Sequence, residues 1–307
     1  MATLTPTRPP RLHPGARVAL IAPAGPVDDA RIERALASCA RLELQAVLAA
    51  SARSRVDYLA GDDAARAADL AWALTDASVD AVWALRGGYG AMRTLAALGG
   101  LPPHSPRPYI GFSDNTAVHL ALLRGGRVSF HGPHAGGELP HFAEAVFRRV
   151  LFEPEPAGVL PLPAGAPAPM ALVGGRADGE LVGGNLSLLS SLIGTPWQLD
   201  ARGRILFIEE VGESFYRLDR MLTHLRLAGA LDGVAAVVLG QFTECAGDDC
   251  ERSLDALLLE LLAPLGVPVG YGYPFGHVGE NWTLPLGVRA RFDADAGVLE
   301  LLEPAVA

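Results

Sequence analysis

Short apolar runs recur along the first half of this chain. Each stops at a glycine- or acid-bearing turn and leads into an amphipathic stretch. Residues 17–22 (RVALIA) end in Pro-Ala-Gly-Pro and precede a helical pattern over 30–42. Residues 80–85 (DAVWAL) end in Arg86-Gly87-Gly88-Tyr89-Gly90, and a helix is predicted from Ala91. Residues 109–112 stop at Ser113-Asp114 before a helix predicted over 115–123. A further helix is expected over 64–75, where Ala65, Ala68, Leu70, Ala71 and Leu74 supply an apolar face. Apolar runs without alternation suit strands buried on both faces, and strand–helix alternation implies a parallel sheet covered by helices. The first half therefore reads as an α/β domain, residues 1–152.

Residues 153–170 are rich in proline, which joins neither helix interiors nor central ladders, and read as a linker. A second domain, 171–307, is expected beyond it. It contains buried strands over 204–208 and 234–239, helices over 216–227 and 253–262, and a closing hairpin around Asp295-Ala296-Gly297. At 307 residues with half of them hydrophobic, two cores are affordable.

Lys and Arg number 25 against 34 Asp and Glu, a net charge of −9. That argues against nucleic acid or an anionic membrane as the main partner. The run 181–199 carries too many polar residues and breakers for a membrane span, and residues 1–14 lack the apolar stretch of a signal peptide. Cys39, Cys245 and Cys250 make no disulfide framework, and the pair 245/250 lacks the second pair a zinc site requires. The expectation is a reduced, cytoplasmic protein that needs no metal or cofactor.

In open α/β sheets ligands bind at the carboxyl ends of strands. Four segments are placed to do chemistry: RGGYG (86–90), GFSD (111–114), EEVGE (209–213) and FGH (275–277). Ser113 has two readings. A strand stopping at a serine followed at once by a helix has the mechanics of a nucleophile elbow, and a serine before a helix is also an ordinary N-cap. RGGYG serves equally as a tight turn or as a loop whose backbone N–H groups approach a ligand. A serine nucleophile needs a base held by a carboxylate. His131, His134 and His277 lie in Gly/Pro loops able to present a side chain. His119, six residues past Ser113 on one helix, is badly placed. Of Glu209 and Glu210, consecutive in a strand, one must face a site and the other away.

The pieces VALIAPAGP (18–26), ALRGGYGAMRTL (84–95), YIGFSDNTAVHLAL (109–122), FHGP (130–133), GELVGGNLSLLSSLIGTPW (179–197), ILFIEEVGESFYRLDRMLTHL (205–225) and GYPFGHVGENWTLPLG (272–287) together resemble the LD-carboxypeptidases, peptidase family S66. The resemblance runs nearly the full length. It implies a flavodoxin-like N-terminal domain and a C-terminal domain built on a small β-sheet or barrel with helices. It also implies a triad of Ser113, Glu209 and His277, completed across the domain interface. Gly88 and Asp114 would supply the oxyanion N–H groups. A strand register slipped by one would put Glu210 in place of Glu209. Arg86 is a candidate for the terminal carboxylate of a substrate, and His131 for lining the pocket or supporting the fold.

The family includes murein tetrapeptide carboxypeptidases and microcin C immunity peptidases, which act on aminoacyl or peptidyl nucleotides. No aromatic residue lies between Phe152 and Trp197 to stack on a nucleoside. The expected substrate is therefore a muropeptide with an L,D bond, cleaved during peptidoglycan recycling. A homodimer is the family's usual state. A non-catalytic muropeptide-binding relative is the reading from another class.

Overall fold

The computed structural model describes residues 5–103, 106–247 and 251–307. The first half runs β1 (Arg17–Ile21), α1 (Asp29–Arg41), β2 (Gln45–Leu48), α2 (Asp63–Thr75), β3 (Ala81–Ala84), α3 (Ala91–Leu98), β4 (Tyr109–Gly111), α4 (Thr116–Arg124), β5 (Ser129–His131) and α5 (His141–Leu151). The second half runs β6 (Gly158–Val159), β7 (Met170–Val173), β8 (Arg176–Asn185), α6 (Leu186–Ser191), β9 (Ile205–Val211), α7 (Phe215–Leu227), β10 (Ala236–Thr243), α8 (Leu254–Leu262), β11 (Val269–Tyr271), β12 (Leu284–Leu286), β13 (Arg289–Asp293) and β14 (Val298–Leu301).

The first sheet has the order β12-β5-β4-β3-β1-β2. Strands β1 to β5 are parallel, as the strand–helix alternation predicts. All four residues of β3 are buried, which explains a run with no polar face. Asp28 and Asp62 cap α1 and α2, accepting from Arg31 N at 2.8 Å and Ala65 N at 2.7 Å. Such caps stabilise a helix by about 1 kcal/mol each.

The second sheet is mixed and eight-stranded, β6-β14-β13-β8-β9-β10-β11-β7. Its centre, β8-β9-β10-β11, is parallel. Within the proline-rich stretch 153–170, Gly158–Val159 forms an edge strand on β14, and Trp282 Nε1 donates to Pro161 O at 2.7 Å. That segment is thus pinned at two places, to the second sheet and to the loop before β12.

The two halves are joined by more than the chain. Strand β12, from the second half, pairs antiparallel with β5, placing Leu284 opposite His131. Asn185 N donates to Thr116 Oγ1 at 3.0 Å, tying the end of β8 to the start of α4. One apolar core runs through both sheets, from Val18 and Trp83 to Phe207 and Phe275. Burying that junction fixes the carboxyl ends of β3, β4 and β9 relative to the loop after β11.

Candidate active site

Beyond β4 the chain does not enter a helix directly. Ser113–Asn115 form one 3-10 turn, and α4 starts at Thr116. Ser113 has φ of +59°, in the left-handed region. A non-glycine residue there costs roughly 1–2 kcal/mol, and an N-cap residue has extended backbone instead. Neither the turn nor α4 has a side-chain cap hydrogen bond. The backbone therefore decides against the capping reading of Ser113 and has the strained strand-to-helix geometry of a nucleophile elbow.

The RGGYG loop lies directly against this turn. A Cβ on Gly87 would sit 2.9 Å from Ser113 Cβ, 3.0 Å from Ser113 Oγ and 3.2 Å from Asp114 N. Only glycine permits that approach. Asp114 then binds the far end of the loop, its Oδ2 accepting from Ala91 N, the first residue of α3, at 2.7 Å. Burial raises the Asp114 carboxyl to about 6, against a partial lowering by that backbone bond. Asn115 adds a second tie, donating through Nδ2 to Arg86 O at 3.3 Å and Phe112 O at 3.1 Å.

The strand alternation in β9 separates its two glutamates. Glu209 is fully buried, and its Oε2 accepts from His277 Nδ1 at 2.7 Å. A carboxylate can only accept, so Nδ1 carries the proton and Nε2 keeps its lone pair. Glu210 points the other way. It accepts from Asn185 Nδ2 at 2.8 Å, Ser187 N at 2.7 Å and Val211 N at 2.9 Å. Burial pushes its carboxyl up. The register is therefore the one that aims Glu209 at the histidine, and Glu210 braces β8 and α6.

His277 stands on a loop pinned by Asn281, whose amide both accepts from Gly276 N at 3.2 Å and donates to Gly276 O at 3.0 Å. Gly276 has φ of +112°, and a Cβ there would lie 2.8 Å from Glu209 Cβ. The loop is thus pressed onto the carboxylate. The His277 ring meets Phe112 edge-on, with centroids 4.9 Å apart. Ser113, His277, Arg86, Gly88 and Arg31 all line one cavity of about 330 Å³.

His131 is elsewhere. It is fully buried among Phe112, Phe207 and Phe275, with neither ring nitrogen hydrogen-bonded, and burial holds it neutral. It packs the junction between the sheets and is not among the residues lining the cavity, which favours fold support over pocket lining, the two readings the sequence left open. The histidine that does line it is His134. Its ring stacks on Phe112 at 4.1 Å, and its Nε2 donates to Phe112 O at 3.1 Å, steadying the residue before Ser113. Burial lowers it to about 3. Its neighbourhood, HGPH, offered a signal, but loop position alone did not separate it from His131. His119 is fully buried and structural: Nε2 donates to Gly111 O at 2.8 Å, so Nδ1 accepts from Ser129 Oγ at 2.9 Å.

Among the described residues no three His, Cys, Asp or Glu side chains cluster as a metal site, and no helix is long and apolar enough to cross a membrane. Cys245 is a free thiol; Cys250 and His104 lie outside the described residues.

Residues 18–132 match the LD-carboxypeptidase N-terminal domain and residues 178–292 the C-terminal domain. A Streptomyces coelicolor protein is 45% identical over 97% of this chain and 97% of its own length. The murein tetrapeptide carboxypeptidase of Pseudomonas aeruginosa is 37% identical over 89% and 92%. The crystal structure of muramoyltetrapeptide carboxypeptidase from Oxalobacter formigenes is 31% identical, covers 93% of this chain and 98% of its own, and superposes with a TM-score of 0.77. The microcin C7 self-immunity protein shares the fold, with a TM-score of 0.88 at 22% identity over 98% and 100%.

Proposed function

The chain belongs to the LD-carboxypeptidase family, and from that premise we propose that it is a serine L,D-carboxypeptidase. It releases the terminal D-alanine of a murein tetrapeptide. The observation that carries this reading is the 2.7 Å bond from His277 Nδ1 to buried Glu209, with strained Ser113 on the same cavity.

The roles follow from the tautomer. His277 Nε2 takes the Ser113 hydroxyl proton as Oγ attacks the scissile carbonyl carbon. Glu209 holds the ring and stabilises the imidazolium that results. The carbonyl oxygen becomes an oxyanion between the N–H groups of Gly88 and Asp114, each such donor being worth about 3–4 kcal/mol to the transition state. The carbon–nitrogen bond breaks as His277 returns its proton to the leaving amine. Water, deprotonated by the same nitrogen, then hydrolyses the acyl-enzyme and frees Ser113. Arg86 receives the carboxylate of the terminal residue. Its guanidinium lies against the Gly25–Gly88 contact, one residue from Gly87. A cytoplasmic homodimer acting in peptidoglycan recycling belongs to the same proposal.

The test is incubation of wild type and Ser113→Ala with L-Ala-γ-D-Glu-meso-diaminopimelate-D-Ala in the presence of a chelator, with products followed by mass spectrometry. Free D-alanine from wild type alone supports the reading. A folded wild type that releases none refutes it and turns attention to aminoacyl nucleotides.

A further inference from the structure

A second cleft of about 570 Å³ lies beside the catalytic cavity, and the two share Arg86 and Gly88 in their walls. Arg55 stands on the outer cleft. Tyr58 and Tyr89 wall it, with ring centroids 5.7 Å apart in edge-to-face contact. Both tyrosines are largely in solvent, at 61% and 50% exposure. Exposed paired aromatics make a rigid apolar wall at small entropic cost to a ligand.

Three guanidinium groups bear on this place. The proton affinity of Arg86 is lowered first by burial and then by the charge of Arg31, with a smaller contribution from Arg55; Asp28 partly opposes them. None of Arg31, Arg55 and Arg86 is ion-paired with a carboxylate among the described residues. Arg86 Nη1 donates to Pro26 O at 3.0 Å, and Arg55 Nε reaches only Asp57 O at 3.4 Å. Some arginines elsewhere do find carboxylates, as Arg41 does with Glu144 and Arg291 with Asp178; what sets these three apart is that they bear on one cleft. Three like charges offset only in part by Asp28 repel, and an arriving anion relieves that repulsion. The protein's net charge is −9, so attraction of an anion has to be local.

We propose that the outer cleft is an anion-binding subsite for the acyl arm of the substrate. Arg55 pairs there with a carboxylate on the amino-terminal side of the cleaved bond, and the stem lies along the Tyr58–Tyr89 wall. This rests on the carboxypeptidase reading of the neighbouring site. The leaving part of such a substrate is one residue, matched by the smaller cavity that holds Ser113 and His277. The retained part is longer and needs the larger, open cleft. A stem joined through a γ-carboxyl keeps its α-carboxylate free, which is the group Arg55 would meet.

The test separates binding from turnover. Full-length Ser113→Ala, with and without Arg55→Gln, is titrated calorimetrically with the free tetrapeptide and with the same peptide amidated at the glutamyl α-carboxyl. Arg55 is exposed, and thermal melts check that the double variant remains folded. The expected result is binding of the acid weakened about tenfold by Arg55→Gln, and of the amide by less than about twofold. Equal loss on both peptides, or no loss on either, overturns the subsite. Arg55-dependent binding of the acid by a protein whose wild type releases no D-alanine would refute the peptidase reading and leave the subsite standing. Adenosine monophosphate is the third titrant. Binding that depends on Arg55 for this nucleotide alone reassigns the anion to a phosphate and overturns the peptide carboxylate. No binding of any of the three overturns the proposal as well.

Discussion

Replacing Glu209 by glutamine isolates the electrostatic part of the proposed triad. The substitution keeps the shape and removes one charge from a fully buried position. Two amide orientations are available. Glu209 Oε1 has no hydrogen-bond partner among the described residues, so neither a donor nor an acceptor holds the outer end of the amide. With its oxygen toward His277, the Nδ1–H tautomer survives and only the charge interaction with the imidazolium is lost. A unit charge pair at about 4 Å and an effective dielectric of 20 is worth about 4 kcal/mol, or about 10³ in rate. With its nitrogen toward His277, the ring is driven to the other tautomer, Nε2 no longer accepts, and the loss approaches about 10⁴. The expected fall in kcat is therefore between about 10³ and 10⁴, with KM nearly unchanged. The assay is D-alanine release from the tetrapeptide, coupled to D-amino-acid oxidase. Glu210→Gln is the control. It disturbs three structural hydrogen bonds and should cost about 1–3 kcal/mol of stability while leaving the folded enzyme active. A Glu209→Gln enzyme within tenfold of wild type would refute the reasoning. So would a folded Glu210→Gln enzyme with the larger loss in kcat.

Ser113→Gly should abolish turnover yet stabilise the fold by about 0.5–1 kcal/mol, because relief of the left-handed strain exceeds the added chain entropy; urea unfolding reads this directly, and a destabilised variant contradicts it. Gly87→Ala should lower kcat about 10²–10³-fold by pushing the loop away from Ser113 and Asp114 N, with KM changed less than kcat. Acid should weaken the fold. His119 and His134, held at about 4 and about 3, and His131, held well below the ordinary range, are all depressed by burial. Their stability contribution is complete above about pH 6.5 and is lost as pH falls through that value toward their folded pKa values, about 2 kcal/mol by pH 5 for each of His119 and His134, with His131 acting in the same sense. Asp114, raised to about 6, works in the opposite sense and returns about 1.4 kcal/mol by pH 5. Denaturant midpoints at pH 7 and pH 5 should therefore show a net loss of about 3 kcal/mol or more, and unchanged midpoints would contradict the assignment of three neutral buried histidines.

Much of the α/β architecture was readable along the chain because its signals are local. The apolar runs at β1, β3, β4, β9 and β10, and the helical patterns of α1 and α2, each lie within about a dozen residues. Strands β2, β5 and β11 are as short as β3 and β4 but carry polar residues or glycine, Gln45, Ser129, His131 and Gly270, that break the apolar run. Helix α5 was not among the elements read from the sequence. The family motifs named Ser113, Glu209 and His277 as a set.

What the residues alone left open was decided by distant neighbours. Alternation in β9 required one glutamate to face a site, and the choice of Glu209 came from His277, 68 positions away. Cap and elbow are equally good local readings of Gly-Phe-Ser-Asp. The left-handed backbone at Ser113 is held by the Gly87 approach and by Asp114 on the N-terminus of α3, contacts made only after β3 and β4 lie side by side. His131 and His134 stand three residues apart in one loop-like stretch. One is sealed in the core because β12 crosses over to pair with β5, and the other faces the cavity. The cluster of Arg31, Arg55 and Arg86 is invisible in a sequence of net negative charge. Composition adds charges over the chain, whereas a binding field depends on where folding brings a few of them together.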